Sequence, residues 1–130
     1  MIEKIDHIGI AVKDLEATIR FYEQILELPV TEKNEHGTTR VAFVRIGDVD
    51  FEFLENNDPE SAIAKHIAKR GEGIQHVAYK VRDIAKAMEA LKVKGITFID
   101  EAPRPGARGS RIAFLHPKNT YGVLMELVER

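Results

Sequence analysis

Two histidines and two glutamates occupy matching places in the two halves of the chain. His7 lies in DHIGIAV and His76 in QHVAYKV, while Glu52 lies in VDFEFLE and Glu126 in VLMELVE. Imidazole nitrogens and carboxylate oxygens are ligands for divalent first-row metals, and carboxylates also transfer protons. If folding brings the four together, they would suit a Co, Mn, Ni, Fe or Zn ion.

The repetition separates these four residues from the other polar residues. A single His or Glu within a strand is usually solvated or hydrogen-bonded. His36, His66 and His116 have no partner at a matching place, and we predict that they are surface or loop residues. Four residues of ligand type at equivalent positions favour a shared metal site over chance alternation of polar residues.

The four positions belong to a longer internal repeat. RVAFV, at 40–44, corresponds to RIAFL, at 111–115, and the Glu52 and Glu126 segments correspond at an offset of 74 (126 − 52). At an offset of 69 (76 − 7), the first copy has Ile5, His7, Val12 and Asp14 and the second has Ile74, His76, Val81 and Asp83. The offset drifts as insertions in loops require.

The repeat predicts the elements that position these residues. After each His strand, apolar residues recur at helical spacing behind an N-capping aspartate, Asp14 or Asp83, and strand patterns follow. Each half is thus predicted to be a βαβββ module. The modules cover about 1–57 and 74–130 of a single domain, and a connector of about 58–73 holds a helix from about 59 to 70 that starts at Asp58 and Pro59 and ends at Gly71.

Strand alternation predicts which side chains share a face. In the first strand His7 lies on the same face as Gly9 and Ala11. Each glutamate points to the face opposite that of its two apolar neighbours in sequence. A carboxylate within so apolar a strand is costly unless it reaches water, pairs or binds a cation. We therefore expect an α+β fold in which the four side chains converge on a metal site between the sheets of the two modules.

Composition limits the classes of partner. The chain has 130 residues, 44% of them hydrophobic and 31% charged, with a net charge of −2 and no cysteine. Cysteine ligands, disulfides and thiol catalysis are thereby excluded. Neither nucleic acid nor a membrane is an expected partner, since the charge is slightly negative and no long apolar run is present. We expect a soluble, cytoplasmic protein.

With these residues and stretches such as IDHIGIAVKDLE, GEGIQHVAY and RIAFLHPK, the sequence resembles the vicinal oxygen chelate superfamily, and within it the methylmalonyl-CoA epimerases. The resemblance spans nearly the whole chain, and it implies that the two βαβββ modules form a cupped mixed sheet around a metal site. It implies metal ligands at His7, Glu52, His76 and Glu126. It also implies interconversion of (2R)- and (2S)-methylmalonyl-CoA by proton abstraction at C2 through a metal-stabilised enolate. Superfamily members are often homodimers, and a homodimer is expected here.

The resemblance also guides the assignment of roles. A substrate that chelates the ion needs two open positions, which favours Co, Mn or Ni over tetrahedral Zn, with Fe also possible. Some family members carry a further glutamate, proposed as a base, where this chain has Thr39-Arg40-Val41. The candidate acid/base groups are Glu126 and Glu52, with Glu126 preferred as the base and the second role left open.

An acyl-CoA substrate would bring phosphates, which arginine binds by paired hydrogen bonds. The predicted contacts are Arg104, Arg108, Arg111 and Lys118, on and beside the loop EAPRPGARGS. Solvated loop charges are the simpler interpretation of this cluster.

Three other functions remain open. A glyoxalase I-like lactoylglutathione lyase has the same ligand types in the same superfamily. A metal-free small-molecule-binding protein of this fold is a second alternative, which the two glutamates oppose. A two-His, one-carboxylate dioxygenase is disfavoured, because a fourth protein ligand would fill a position that oxygen chemistry needs.

Overall fold

The computed structural model describes residues Met1–Arg130 and divides into two compact units. One unit is His7–Gln75, and the other consists of Met1–Asp6 with His76–Arg130. The first strand therefore contributes to both units, and the connector belongs with the first module. Within the second unit, Arg130 Nη2 donates a 2.6 Å hydrogen bond to Asp6 Oδ2, which ties the amino-terminal segment to that unit.

The order of elements confirms one βαβββ module in each half. The first half contains β1 (Ile2–Ala11), α1 (Leu15–Arg20) continued by a π-helical turn (Phe21–Ile25), β2 (Val30–His36), β3 (Thr39–Ile46), β4 (Val49–Glu55) and the connector helix α2 (Ala62–Arg70). The second contains β5 (Gly73–Val81), α3 (Ile84–Val93), β6 (Arg104–Pro105), β7 (Arg111–Phe114) and β8 (Met125–Glu129), with short 3₁₀ turns at Ala107–Gly109 and Pro117–Asn119.

The strands of the two halves pair in the same way. Their orders are β2-β3-β4-β1 and β5-β8-β7-β6. The His strand pairs in parallel with the Glu strand in each half, β1 with β4 and β5 with β8, whereas the remaining pairs are antiparallel. The predicted α+β class with mixed strand pairing is confirmed.

Each half buries its helix against one face of its strands. Leu15 and Ile19 of α1 pack with Ala42, Val44 and Phe53 of β3 and β4. In the second half Ile84, Ala87 and Met88 of α3 pack with Val81, Ala113, Leu115 and Leu127. Because strand residues alternate between faces, the other face of the same strands is left for the matched His and Glu residues.

Aspartates cap both module helices, as predicted. Asp14 Oδ1 accepts the Ala17 N–H at 3.0 Å, and Asp83 Oδ1 accepts the Lys86 N–H at 3.1 Å. Both caps have extended backbone, the usual conformation at this position. The first turn of each helix is thus set by a residue of the repeat.

A glutamate and an arginine connect each helix to its strands. In the first half Glu55 Oε2 accepts the Leu15 N–H at 2.8 Å, and its Oε1 accepts Arg40 Nη1 at 2.9 Å. In the second half Glu129 Oε2 accepts the Ile84 N–H at 2.9 Å, and its Oε1 accepts Arg111 Nη1 at 3.1 Å. The carboxylate satisfies a helix N–H that has no partner within the helix. We refer to each set as the helix-strand bridge.

The predicted start of the connector helix is wrong. The helix begins at Ala62 with Ser61 as its cap, and Ser61 Oγ accepts the Ala64 N–H at 3.1 Å. Asp58 instead accepts the Glu60 N–H and so closes a turn before the helix. The predicted end is correct, because Gly71 terminates the helix with φ +81°, which glycine adopts at little cost.

None of the helices is both long and apolar enough to cross a membrane.

Replacing Asp83 with alanine is expected to destabilise the second module. The Lys86 N–H would lose its acceptor, at a cost of about 1 kcal/mol in the free energy of unfolding. For a chain of this size that lowers Tm by roughly 3–5 °C. Thermal unfolding followed by circular dichroism measures the change. Glu89→Ala, at an exposed position of the same helix, is the matched control, and an equal loss of Tm in both variants would contradict the capping role.

Candidate metal centre

A buried histidine-glutamate pair lies within the first unit. Parallel pairing of β1 with β4 puts Gly9 opposite Glu52 and His7 opposite Asp50, so His7 and Glu52 lie diagonally on one face. His7 Nε2 is 3.5 Å from Glu52 Oε1, and the two side chains are 5% and 8% exposed. Gly9, two residues after His7 on β1 and opposite Glu52, adds no side chain to this face.

The second unit contains an equivalent pair. In the β5-β8 pairing Ala78 lies opposite Glu126, which puts His76 diagonally beside the carboxylate. His76 Nε2 is 3.4 Å from Glu126 Oε2, and the side chains are 4% and 5% exposed. The structure therefore brings together His7 with Glu52, and His76 with Glu126, as the repeat predicts.

The chemistry and spacing of each pair fit ligands of a common ion. Two atoms each about 2.1 Å from a metal lie about 3.0 Å apart at right angles and about 3.4 Å apart at the tetrahedral angle. The observed nitrogen-oxygen distances of 3.5 and 3.4 Å are near that range and longer than a strong charge-assisted hydrogen bond. His7, Glu52 and His76 are all buried residues of metal-binding type, which suggests a metal site.

An aromatic ring accompanies each glutamate. Phe43 on β3 lies opposite Glu52, and Phe114 on β7 lies opposite Glu126. The Phe114 ring meets the His76 imidazole at 5.4 Å and 82°, an edge-on contact that limits rotation of the imidazole. Sequence reasoning did not select these rings, although RVAFV and RIAFL place them at equivalent positions of the repeat.

The four predicted phosphate-binding cations have different surroundings. Arg104 Nε donates to Asp100 at 2.8 Å and its guanidinium lies 5.7 Å from the Phe114 ring centroid. Arg111 belongs to the second helix-strand bridge. Arg108 is exposed and has φ +56°, a conformation unusual for a residue with a side chain. Lys118 is exposed in the turn after β7.

No carboxylate of β3 lies on the face of Glu52. The residues of β3 on that face are Thr39, Val41, Phe43 and Arg45, because Phe43 lies opposite Glu52 and alternate residues of a strand share a face. Arg40 is on the helix face and also donates to Glu16 at 2.9 Å. Lys33 and Arg40 lower the pKa of the Glu16 carboxyl, chiefly through the Lys33 hydrogen bond, although Glu16 is exposed to water. The family's additional glutamate thus has no substitute on this strand.

Asp50 is a buried acid that the sequence analysis did not single out. It lies opposite His7 on β4 and is 5% exposed. Arg45 Nη1 is 3.5 Å from both carboxylate oxygens of Asp50. Its place in the second half is taken by Leu124, so only comparison of strand register, and not the repeat, reveals it.

The three unmatched histidines lie outside the two pairs. His36 is exposed at the end of β2, and His116 is exposed with its Nδ1 accepting the Lys118 N–H at 3.2 Å. His66 is partly buried on α2, where burial, and then the charge of Arg70, lowers the pKa of the imidazole. The surface prediction is correct for His36 and His116 and only partly so for His66.

Two βαβββ modules with a His and a Glu on matching parallel strands define the class of vicinal oxygen chelate proteins. Comparison with family models agrees: residues 6–114 match the model described as the Glyoxalase/Bleomycin resistance protein/Dioxygenase superfamily. The chain belongs to this superfamily, which confirms the resemblance drawn from the sequence.

Similar proteins include named epimerases. The ethylmalonyl-CoA/methylmalonyl-CoA epimerase of Cereibacter sphaeroides is 36% identical, and the match covers 98% of each chain. An uncharacterised protein of Bacillus subtilis is also 36% identical, with 97% of this chain and 91% of that protein covered. A Streptomyces coelicolor methylmalonyl-CoA epimerase variant in complex with 2-nitronate-propionyl-CoA has 37% identity and a TM-score of 0.94, and the match covers 99% of this chain and 95% of the other. The epimerases among these relatives are enzymes, and the resemblance to them is confirmed.

Proposed function

We propose that this chain is a metal-dependent epimerase that interconverts (2R)- and (2S)-methylmalonyl-CoA. The observation that carries the proposal is the buried His-Glu pair present at the same place of both modules, in a chain similar over its length to named epimerases. The acyl-CoA substrate is inferred from the molecule bound to the Streptomyces coelicolor enzyme.

In this proposal His7, Glu52, His76 and Glu126 together hold one divalent ion. Their imidazole and carboxylate donors would suit Co, Mn or Ni, which can also accept oxygen ligands from a substrate. Such an ion supplies positive charge beside the oxygens on which negative charge develops as the C2 proton leaves.

Two carboxylates are available for the proton transfers. The C2–H lies between a carboxylate and a thioester carbonyl, so its removal leaves the electron pair delocalised over both groups. Glu126 would accept the C2 proton on a carboxylate oxygen, and a second group would return a proton to the opposite face. Glu52 is proposed for that second role, since β3 carries no carboxylate on its face.

Burial supports a catalytic role for both carboxylates. Both glutamates are nearly excluded from water. In such a buried site a charged group interacts more strongly with a developing charge than it does at the surface. Gly9 and Ala78, which lie opposite the two glutamates, add little bulk beside the carboxylates.

The phosphates of coenzyme A are proposed to contact Arg104, Arg108, Arg111 and Lys118. Arg104 and Arg111 already pair with Asp100 and Glu129 at about half exposure, so binding through them requires sharing their donors. Arg108 is the best position for a test, because its exposed side chain lies on the loop that joins β6 to β7.

Metal analysis tests the ligand set. After dialysis against trace Co²⁺, Mn²⁺ or Ni²⁺, we expect about one ion per chain in the wild type and a large loss of occupancy in His76→Ala, because metal binding needs its full set of donors. His116→Ala is the control, since this exposed imidazole serves only its own turn. Full occupancy in His76→Ala would show that the ligand set is wrong.

Replacement of Arg108 by alanine is expected to raise KM for methylmalonyl-CoA more than it lowers kcat. A phosphate contact remote from C2 contributes equally to the ground state and the transition state, so its loss appears in KM. Steady-state kinetics of Arg104→Ala, Arg108→Ala and Arg111→Ala measure this. Unchanged KM in all three variants would leave these residues as surface charges.

The two glutamates can be separated by Glu→Gln variants. Glu126→Gln keeps an oxygen donor but loses basicity, so C2 proton exchange in deuterated water is expected to fall about 10²- to 10⁴-fold with metal retained. Glu52→Gln serves as the matched comparison and should be affected less. If Glu52→Gln lowered the exchange rate more than Glu126→Gln did, the roles proposed for the two glutamates would be reversed. If neither the wild type nor the variants exchanged the C2 proton of methylmalonyl-CoA, while the wild type isomerised a hemithioacetal readily, the lactoylglutathione lyase would be favoured.

A further inference from the structure

A row of four residues crosses the second unit next to its His-Glu pair. Opposite positions on neighbouring strands link Lys80 on β5 to Val128 on β8, Val128 to Ile112 on β7, and Ile112 to Arg104 on β6. Cations therefore stand at both ends, and two buried apolar side chains lie in the middle. We call these four residues the Lys80 row.

The Lys80 row is on the same sheet face as Glu126. The neighbouring row contains Ala78, Glu126 and Phe114, each two residues along its strand from a member of the Lys80 row. Residues two apart on a strand share a face. The Arg104 guanidinium over the Phe114 ring agrees with this placement, whereas Tyr79 and Val81 pack on the opposite face with α3.

Lys80 has no counterion within the protein. Its side chain is partly buried, and it takes part in no ion pair or hydrogen bond. Arg104, in contrast, is held by Asp100 at 2.8 Å. A cation in a partly buried position, without a counterion in the protein, is suited to pairing with an anion from outside it.

The first unit shows that the fold does not need a lysine at this place. The row equivalent to the Lys80 row contains Ala11, Leu54, Val41 and Asn34. Ala11 occupies the place of Lys80 in the repeat and is fully buried. The same strand pairing is thus built with a methyl group in one half and with an unpaired cation in the other, so stability does not account for Lys80.

We propose that Lys80 binds an anionic oxygen of the acyl-CoA substrate, either the free carboxylate of the acyl group or a phosphate of coenzyme A. The inference rests on the proposed function, because it takes acyl-CoA as the ligand of the His-Glu face. Lys80 lies on the sheet face of Glu126, two residues along β5 from Ala78, which is opposite that glutamate. Lys80 supplies up to three N–H donors on that face.

Neutral and charged replacements of Lys80 test the proposal. Lys80→Met keeps most of the aliphatic stem and removes the charge, and it should raise the Kd and KM for methylmalonyl-CoA about ten- to a hundredfold, as expected for loss of a hydrogen bond to a charged group. The change in KM should exceed the change in kcat. Lys80→Arg should recover most of the affinity, because it restores a donor with positive charge.

Two further variants separate binding from folding. Lys86→Met makes the same substitution at an exposed residue of α3 and should bind as the wild type does. Lys80→Ala reproduces the residue found at Ala11 and should unfold at a Tm close to that of the wild type while showing the same loss of affinity as Lys80→Met. Isothermal titration calorimetry and thermal unfolding give both quantities for all four variants.

Truncated substrates distinguish the two sources of the anion. Methylmalonyl-pantetheine has the carboxylate without the nucleotide phosphates, and propionyl-CoA has the phosphates without the carboxylate. If Lys80 binds the carboxylate, the effect of Lys80→Met persists with methylmalonyl-pantetheine and disappears with propionyl-CoA. If it binds a phosphate, the pattern is reversed.

The same measurements separate two kinds of failure. A wild type that binds and epimerises methylmalonyl-CoA, with Lys80→Met and Lys80→Ala indistinguishable from it in Kd and KM, would overturn the role of Lys80 alone. A wild type that neither binds nor epimerises methylmalonyl-CoA would overturn the proposed function, and the inference about Lys80 with it.

Discussion

The cost of burying a carboxylate is the constraint on which this structure depends. Glu52 and Glu126 are more than nine-tenths buried in strands that are otherwise apolar, and each faces an imidazole nitrogen. That arrangement requires a His strand and a Glu strand as parallel neighbours, and a face of the sheet left clear of its own helix. The βαβββ module meets both requirements, because its helix covers one face of the strands and leaves the histidines and glutamates on the other.

The helix-strand bridges and the aromatic rings keep that face in register. Glu55 and Glu129 each accept a hydrogen bond from a helix N–H and one from an arginine. The start of each helix is therefore fixed to the strand that carries Glu52 or Glu126. On the other face Phe114 holds the His76 imidazole edge-on. The two sides of the sheet thus have different tasks: one provides stability through apolar packing, and the other provides polar groups whose positions the packing determines.

The sequence predicted what a repeat makes visible and missed what depends on strand register. His7 with Glu52, the Asp14 cap and the βαβββ order were all predictable, because each has a counterpart in the second half. Asp50 and Lys80 have none, and their importance appears only when opposite residues on neighbouring strands are known, which one sequence does not reveal. The start of α2 was misplaced because Asp58 and Ser61 are both good caps, and the choice between them is made by the turn that Asp58 closes.

The hydrogen bond between Asp6 and Arg130 joins residues 124 positions apart in sequence. Residues 1–6 are synthesised before residues 76–130, with which they form one compact unit, whereas the unit His7–Gln75 is continuous in sequence. During synthesis the first unit can therefore condense while the amino-terminal half of β1 still lacks its partners. Such long-range closure is entropically costly and slow, so this segment stays without its partners until residues 76–130 have been made.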